Sequence, residues 1–141
     1  MIVRMEQATV KYSKATNYAL HTMIYLANHV SSTSIGVQEL ASKQQISTTY
    51  LSKILSQLVK EGMVVSTSGV NGGYSLPHHA KELTFLDVIQ AIEGKSSLFE
   101  CNPIHGSNCL VHKVMLEAEK KMEEELRTKK IFDIAKKVEL S

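Results

Sequence analysis

The sequence predicts a mainly helical protein with one small β-hairpin, and three stretches carry that prediction. Val37–Lys60 has the spacing of two short helices joined by a tight turn. Val64–Leu76 has two short strand-like runs around a glycine-rich tip, Ser68-Gly69-Val70-Asn71-Gly72-Gly73-Tyr74. From Val111 a charged stretch carries a narrow apolar stripe. A helix with a polar outer face beside a glycine-tipped hairpin is the pattern of a winged helix-turn-helix, whose second helix fits a DNA major groove.

Length and composition agree with a single domain. The 141 residues are 43% hydrophobic, enough for a core. We divide them into a leader (1–10), a winged helix-turn-helix region (11–80) and a helical dimerisation region (81–141) with a Cys/His loop at 95–110. No apolar run reaches the roughly 18 residues of a membrane helix. The N-terminus lacks a signal peptide's apolar centre, so a cytoplasmic protein is expected. Two cysteines do not make a secreted disulfide framework, and in a cytoplasm they would be reduced. Net charge is only +2, but residues 1–79 carry six Lys/Arg against three Glu, and residues 80–141 carry ten against eleven Asp/Glu. The basic excess therefore lies in the half expected to meet phosphate.

Each element has a local reason. In Lys11–Val30, Ala19, Met23, Leu26, Ala27 and Val30 recur at helix spacing. Ser31–Gly36 is a polar break. Val37–Gln44 is a short helix with Leu40 and Ala41 inward, and Gln45-Ile46-Ser47 makes the turn, with Ser47 as N-cap. Leu51, Ile54, Leu55 and Leu58 then form an inward stripe, and Gly62 supplies a left-handed C-cap. Leu83–Gly94 reads as a helix with Thr84 and Asp87 as a capping box. Lys95–Asn108 is irregular. Val111, Met115, Ala118, Met122 and Leu126 make the narrow stripe of a helix that wants a partner, most simply a second copy, and these five are the expected dimer interface. Ile131–Leu140 reads as a short helix folding back.

The outward face of the second helix of the pair offers Thr48, Thr49, Ser52, Lys53, Ser56, Gln57 and Lys60. The N-terminal positions of such a helix reach deepest, so Thr48, Thr49, Ser52 and Lys53 are candidates for base contact, with Tyr50 and Ser56 beside them. In the hairpin, Ser68, Gly69, Asn71, Gly72 and Gly73 are candidates for the neighbouring backbone. Three glycines in five residues suggest a close approach, and phosphate is the group expected there. Tyr74 reads as packing.

These motifs resemble one family, the bacterial winged-helix regulators typified by IscR, NsrR and CymR (the Rrf-two family). The resemblance runs from about Lys11 to Val138. It rests on Tyr12-Ser13-Lys14-Ala15-Thr16-Asn17-Tyr18-Ala19-Leu20, on Glu39-Leu40-Ala41, and on Ile46-Ser47-x-x-Tyr50-Leu51. It rests further on Gly69-x-x-Gly72-Gly73-Tyr74 and on Leu83-Thr84-x-x-Asp87-Val88-Ile89-x-Ala91-Ile92-Glu93-Gly94. It implies a homodimer that places Thr48–Lys60 of each subunit in successive major grooves of a pseudo-palindromic operator in double-stranded DNA, usually as a repressor. Ser68 stands where many members have arginine, and the leader precedes the point where members usually begin.

Cys101, His105, Cys109 and His112 fall within twelve residues. Thiolates and imidazoles suit zinc or iron–sulfur iron, and a loop holding two reduced thiols is the plain alternative. The resemblance implies a cluster loop with three cysteines. Cys101-x7-Cys109 is similar to the first two of NsrR-like members, but Met115 falls at the third and Asn17 where an aspartate ligand would be. Cys109-x2-His112 matches the closing pair of IscR-like members. We favour oxidation of Cys101 or Cys109 as the switch, with an iron–sulfur cluster next, zinc as a further option and no cofactor assigned. The alternatives are a cluster-free regulator governed by a protein partner and a dimeric interaction module that never meets DNA. No CxxC, nucleophile elbow or phosphate loop supports an enzyme.

Overall fold

The structure, a computed structural model, describes residues 12–30, 33–99, 103–106 and 108–138. Their order is α1 (Lys14–Ala27), α2 (Val37–Gln44), α3 (Thr48–Lys60), β1 (Val65–Thr67), β2 (Gly73–Ser75), α4 (Phe85–Glu93), α5 (Leu110–Arg127) and α6 (Ile131–Lys137). Short 3₁₀ turns at His78–Glu82 and Pro103–His105 complete it. None of the helices is long and apolar enough to cross a membrane.

The expected inward residues make the core. Ala19, Met23, Leu26 and Ala27 of α1 pack with Leu40 and Ala41 of α2 and with Leu51, Ile54, Leu55 and Leu58 of α3. Burial of these side chains is the main force holding the helix-turn-helix together. Val30 does not join them. The helix ends at Ala27, the chain turns at Asn28, and Val30 is exposed.

The turn between α2 and α3 is closed by backbone geometry. Gln45 adopts left-handed φ 56° and ψ 45°, and the Ile46 N–H donates to Ala41 O at 3.1 Å. Ser47 caps α3 as expected, its Oγ accepting from the Tyr50 N–H at 3.1 Å. At the other end Gly62, φ 78°, allows a Schellman closure. Its N–H donates to Val59 O, and that of Met63 to Leu58 O, both at 2.9 Å.

The hairpin β1–β2 is antiparallel, with Val65 opposite Ser75, Ser66 opposite Tyr74 and Thr67 opposite Gly73. One residue of the polar break before α2 pairs beside this sheet. Ile35 forms an antiparallel bridge with Tyr74, each N–H donating to the other's carbonyl at 2.9 and 2.8 Å. Ile35 is buried, and Tyr74 packs against the core as expected. A lone isoleucine in a polar stretch has no period, so the pairing was not legible from spacing.

Helix α4 begins two residues after Leu83. Thr84 is the extended N-cap, and the capping box is formed by Asp87 N–H to Thr84 Oγ1 at 3.1 Å and Thr84 N–H to Asp87 Oδ2 at 2.9 Å. Leu83 O instead accepts from the Ile131 N–H at 3.0 Å, and Lys129 O from the Phe85 N–H at 2.8 Å. This bridge seats α6, whose Ile131 and Ala135 are buried. Helix α6 stops at Lys137, short of the expected Leu140, and 139–141 lie outside the described residues.

Candidate nucleic-acid interface

Helix α3 has two faces with different fates. Its apolar stripe is buried, while Thr48, Thr49, Lys53, Ser56 and Lys60 are exposed and Ser52 is half-buried. Tyr50 is also exposed, its ring edge-on to Tyr18 with centroids 5.7 Å apart. The hydroxyls and the ammonium thus share one open surface at the helix N-terminal half.

Gln57 departs from that surface. Its Nε2 donates to Ala91 O of α4 at 3.0 Å. Ala91 lies in the last turn of α4, where carbonyls lose their intrahelical partners, so the amide satisfies a helix end. Spacing put Gln57 on the outward face, and tertiary packing turned it inward.

The wing is tied to the segment before α2. Ser34 Oγ donates to Asn71 O at 2.8 Å, and the Gly72 N–H donates to Gly69 O at 3.0 Å. A Cβ on Gly72 would collide with Thr67 O, and one on Gly73 would lie 2.6 Å from Ile35 O. These two glycines are therefore required by the chain's own close packing as well. Gly69, at φ 103° with open space around it, keeps that freedom. Ser68 and Asn71 are exposed at the tip, and so is Val70, at 102%. Sequence reasoning passed over Val70 because single exposed valines are common.

The candidate ligand loop is only partly described. Cys101 lies outside the described residues. Cys109 is the N-cap of α5, its Sγ accepting from the His112 N–H at 3.4 Å. The buried His112 Nδ1 has no hydrogen-bond partner among the described residues, and its ring lies 5.8 Å from Phe99. His105 is exposed in its 3₁₀ turn. Among the described residues no three His, Cys, Asp or Glu side chains are arranged to hold a metal ion. Among the described residues Cys109 and His112 thus come together, while His105 stands apart and exposed.

None of the 18 residues of helix α5 is buried. Val111 is 63% exposed, Met115 42% and Ala118 exposed, while Met122 and Leu126 are half-buried. Leu110 and Val114, at 73% and 62%, extend the apolar surface.

Comparison with known proteins gives a consistent result. The model of the Rrf2 family, described as an iron-dependent transcriptional regulator, matches residues 12–137. The protein rrf2 of Nitratidesulfovibrio vulgaris is 31% identical over 136 residues, covering 93% of this chain and 91% of that protein. Among solved structures, CymR, the global cysteine regulator of B. subtilis, superposes with a TM-score of 0.81 at 26% identity, over 92% of this chain and 98% of that one. T. potens IscR superposes with a TM-score of 0.75 at 27% identity, over 92% and 88%. With its winged-helix fold and a family match spanning nearly all the described residues, the chain belongs to the Rrf2 family of DNA-binding transcriptional regulators and is not an enzyme.

Proposed function

We propose that this regulator acts as a homodimeric repressor. In this reading α3 enters the major groove, with Thr48, Thr49, Ser52 and Lys53 reaching bases. The wing tip, Ser68 to Gly73, lies against the flanking backbone. The observation that carries the reading is the open polar face of α3 together with a wing tied into the chain at Ile35 and Ser34, since preformed elements dock at a lower ordering cost. Helix α5 supports the dimer, because an amphipathic helix of 18 residues with nothing buried leaves its apolar stripe for a partner.

The signal in this reading enters through the Cys/His loop. Cys109 caps α5 with its sulfur, so peroxide oxidation of that thiol to a sulfenate, releasing water, would change the first turn of the expected dimer helix. The test uses duplexes recovered from a random pool by the purified protein. Thr49→Ala with Lys53→Ala should weaken binding by roughly 1–3 kcal/mol for each base that is no longer read. Peroxide should change binding by the native chain and not by the double variant Cys101→Ser with Cys109→Ser. A response that persists in that double variant would remove the thiol switch, and a cluster held by those cysteines with it, and leave a protein partner as the signal.

A further inference from the structure

The last turn of α4 is tied to both helices of the reading unit that it touches. Ala91 O accepts from Gln57 Nε2 of α3 at 3.0 Å. Two residues on, Glu93 Oε2 accepts from the Ser13 N–H at 2.6 Å, from Ser13 Oγ at 2.9 Å and from Thr16 Oγ1 at 2.5 Å. Ser13 is the N-cap of α1, and its own side chain caps nothing. The carboxylate of α4 therefore takes the capping role, where a negative charge also suits the helix dipole. After Gly94 the chain is pinned to α5, Glu119 accepting from Ser97 Oγ at 2.7 Å and from the Leu98 N–H at 3.0 Å.

One turn of helix thus joins the recognition helix, the first helix and the segment that leads to α5. The apolar attraction between α3 and α4 is non-directional. A hydrogen bond has a fixed donor and acceptor and a preferred direction. We propose that Gln57, through α3, and Glu93, through α1, are positioning residues that fix the tilt of the reading unit against α4 and α5, and with it the separation of the two recognition helices in the dimer. This inference rests on the DNA-binding dimer proposed above.

Separation is readable because each added base pair moves one half-site by about 3.4 Å and rotates it about the duplex axis. The duplex selected by the native protein is remade with its half-site spacing changed one base pair at a time, and also as a single half-site. Gln57→Met keeps the volume and removes the donor, and Glu93→Gln keeps the shape and removes the charge. Each variant should bind the best native spacing about ten-fold more weakly, show a broadened or displaced spacing optimum, and bind the single half-site within about two-fold of the native chain. A loss of equal size on the single half-site would overturn the inference and make Gln57 a direct reader. An unchanged spacing profile with a lowered melting temperature would overturn it in favour of a purely structural role. If the native protein selects no sequence at all, the DNA-reading dimer fails first, and that result is distinct because it appears without any substitution.

Discussion

Helices α3 and α5 carry similar sequence signals and opposite environments. Each has apolar residues three and four apart and polar residues elsewhere. In α3 that stripe is closed by α1, α2 and α4, and Leu51, Leu55 and Leu58 are wholly buried. In α5 no residue is buried, and four large apolar side chains from Leu110 to Met115 are more than 40% exposed. The pattern thus says that a face needs covering and is silent about what covers it. Substitutions in the two helices should therefore report through different measurements.

The largest effect is expected inside α3. Leu55→Ala opens a cavity in a site with no exposure and should lower stability by roughly 2–5 kcal/mol, read from chemical denaturation. An effect under about 1 kcal/mol would mean that the site collapses around the smaller side chain and would blur the contrast with α5. Next comes Val114→Glu, on the open surface of α5. It should leave the fold of the single chain unchanged yet weaken self-association by about 100-fold, seen by sedimentation across a concentration series. Unchanged association would move the dimer interface away from this part of α5. Smaller again is Ser47→Ala, which removes the cap of α3 and should cost about 1 kcal/mol in thermal stability. Cys109 caps α5, none of whose residues is buried, so Cys109→Ala should change melting less than Ser47→Ala does.

The smallest effect is a pH dependence at the junction between the two halves. Burial alone would raise the Glu93 carboxyl, but hydrogen bonds from Thr16 Oγ1, the Ser13 N–H and Ser13 Oγ outweigh it and hold the group below its usual 4.5. A depressed carboxyl stabilises the fold above its unfolded value, and that stability is lost as pH falls through the folded value. The native chain should therefore lose stability on acidification below about pH 4.5 more steeply than the Glu93→Gln variant. Parallel curves for the two would show that Ser13 and Thr16 do not favour the charged form.

How much was legible beforehand depended on the range of the interaction. The stripe of α3, the Ser47 cap, the Thr84–Asp87 box and the Gly62 closure all lie within a few residues of chain, and each was read from spacing. The candidate contacts Thr48, Thr49 and Lys53 were legible for the same reason, since a helix period fixes which side chains share a face. Gln57 sits on that face by period and off it in fact, because the carbonyl that claims it is 34 residues away. Ile35 was missed because its partner Tyr74 belongs to another segment, and Glu93 gave no sign that it would cap a helix begun 80 residues earlier.

By itself, the sequence determined the helices, the caps of α3 and α4 and the hairpin, since these rest on backbone preference and on side chains a turn or two apart, and its ordered motifs carried the resemblance to the family. Only the tertiary structure decided which polar groups would be spent inside the molecule. It turned Gln57 and Glu93 inward, gave Gly72 and Gly73 a reason in close packing, and left α5 uncovered. Such choices follow from distant segments competing for the same donors, acceptors and apolar faces, and no local period records that competition.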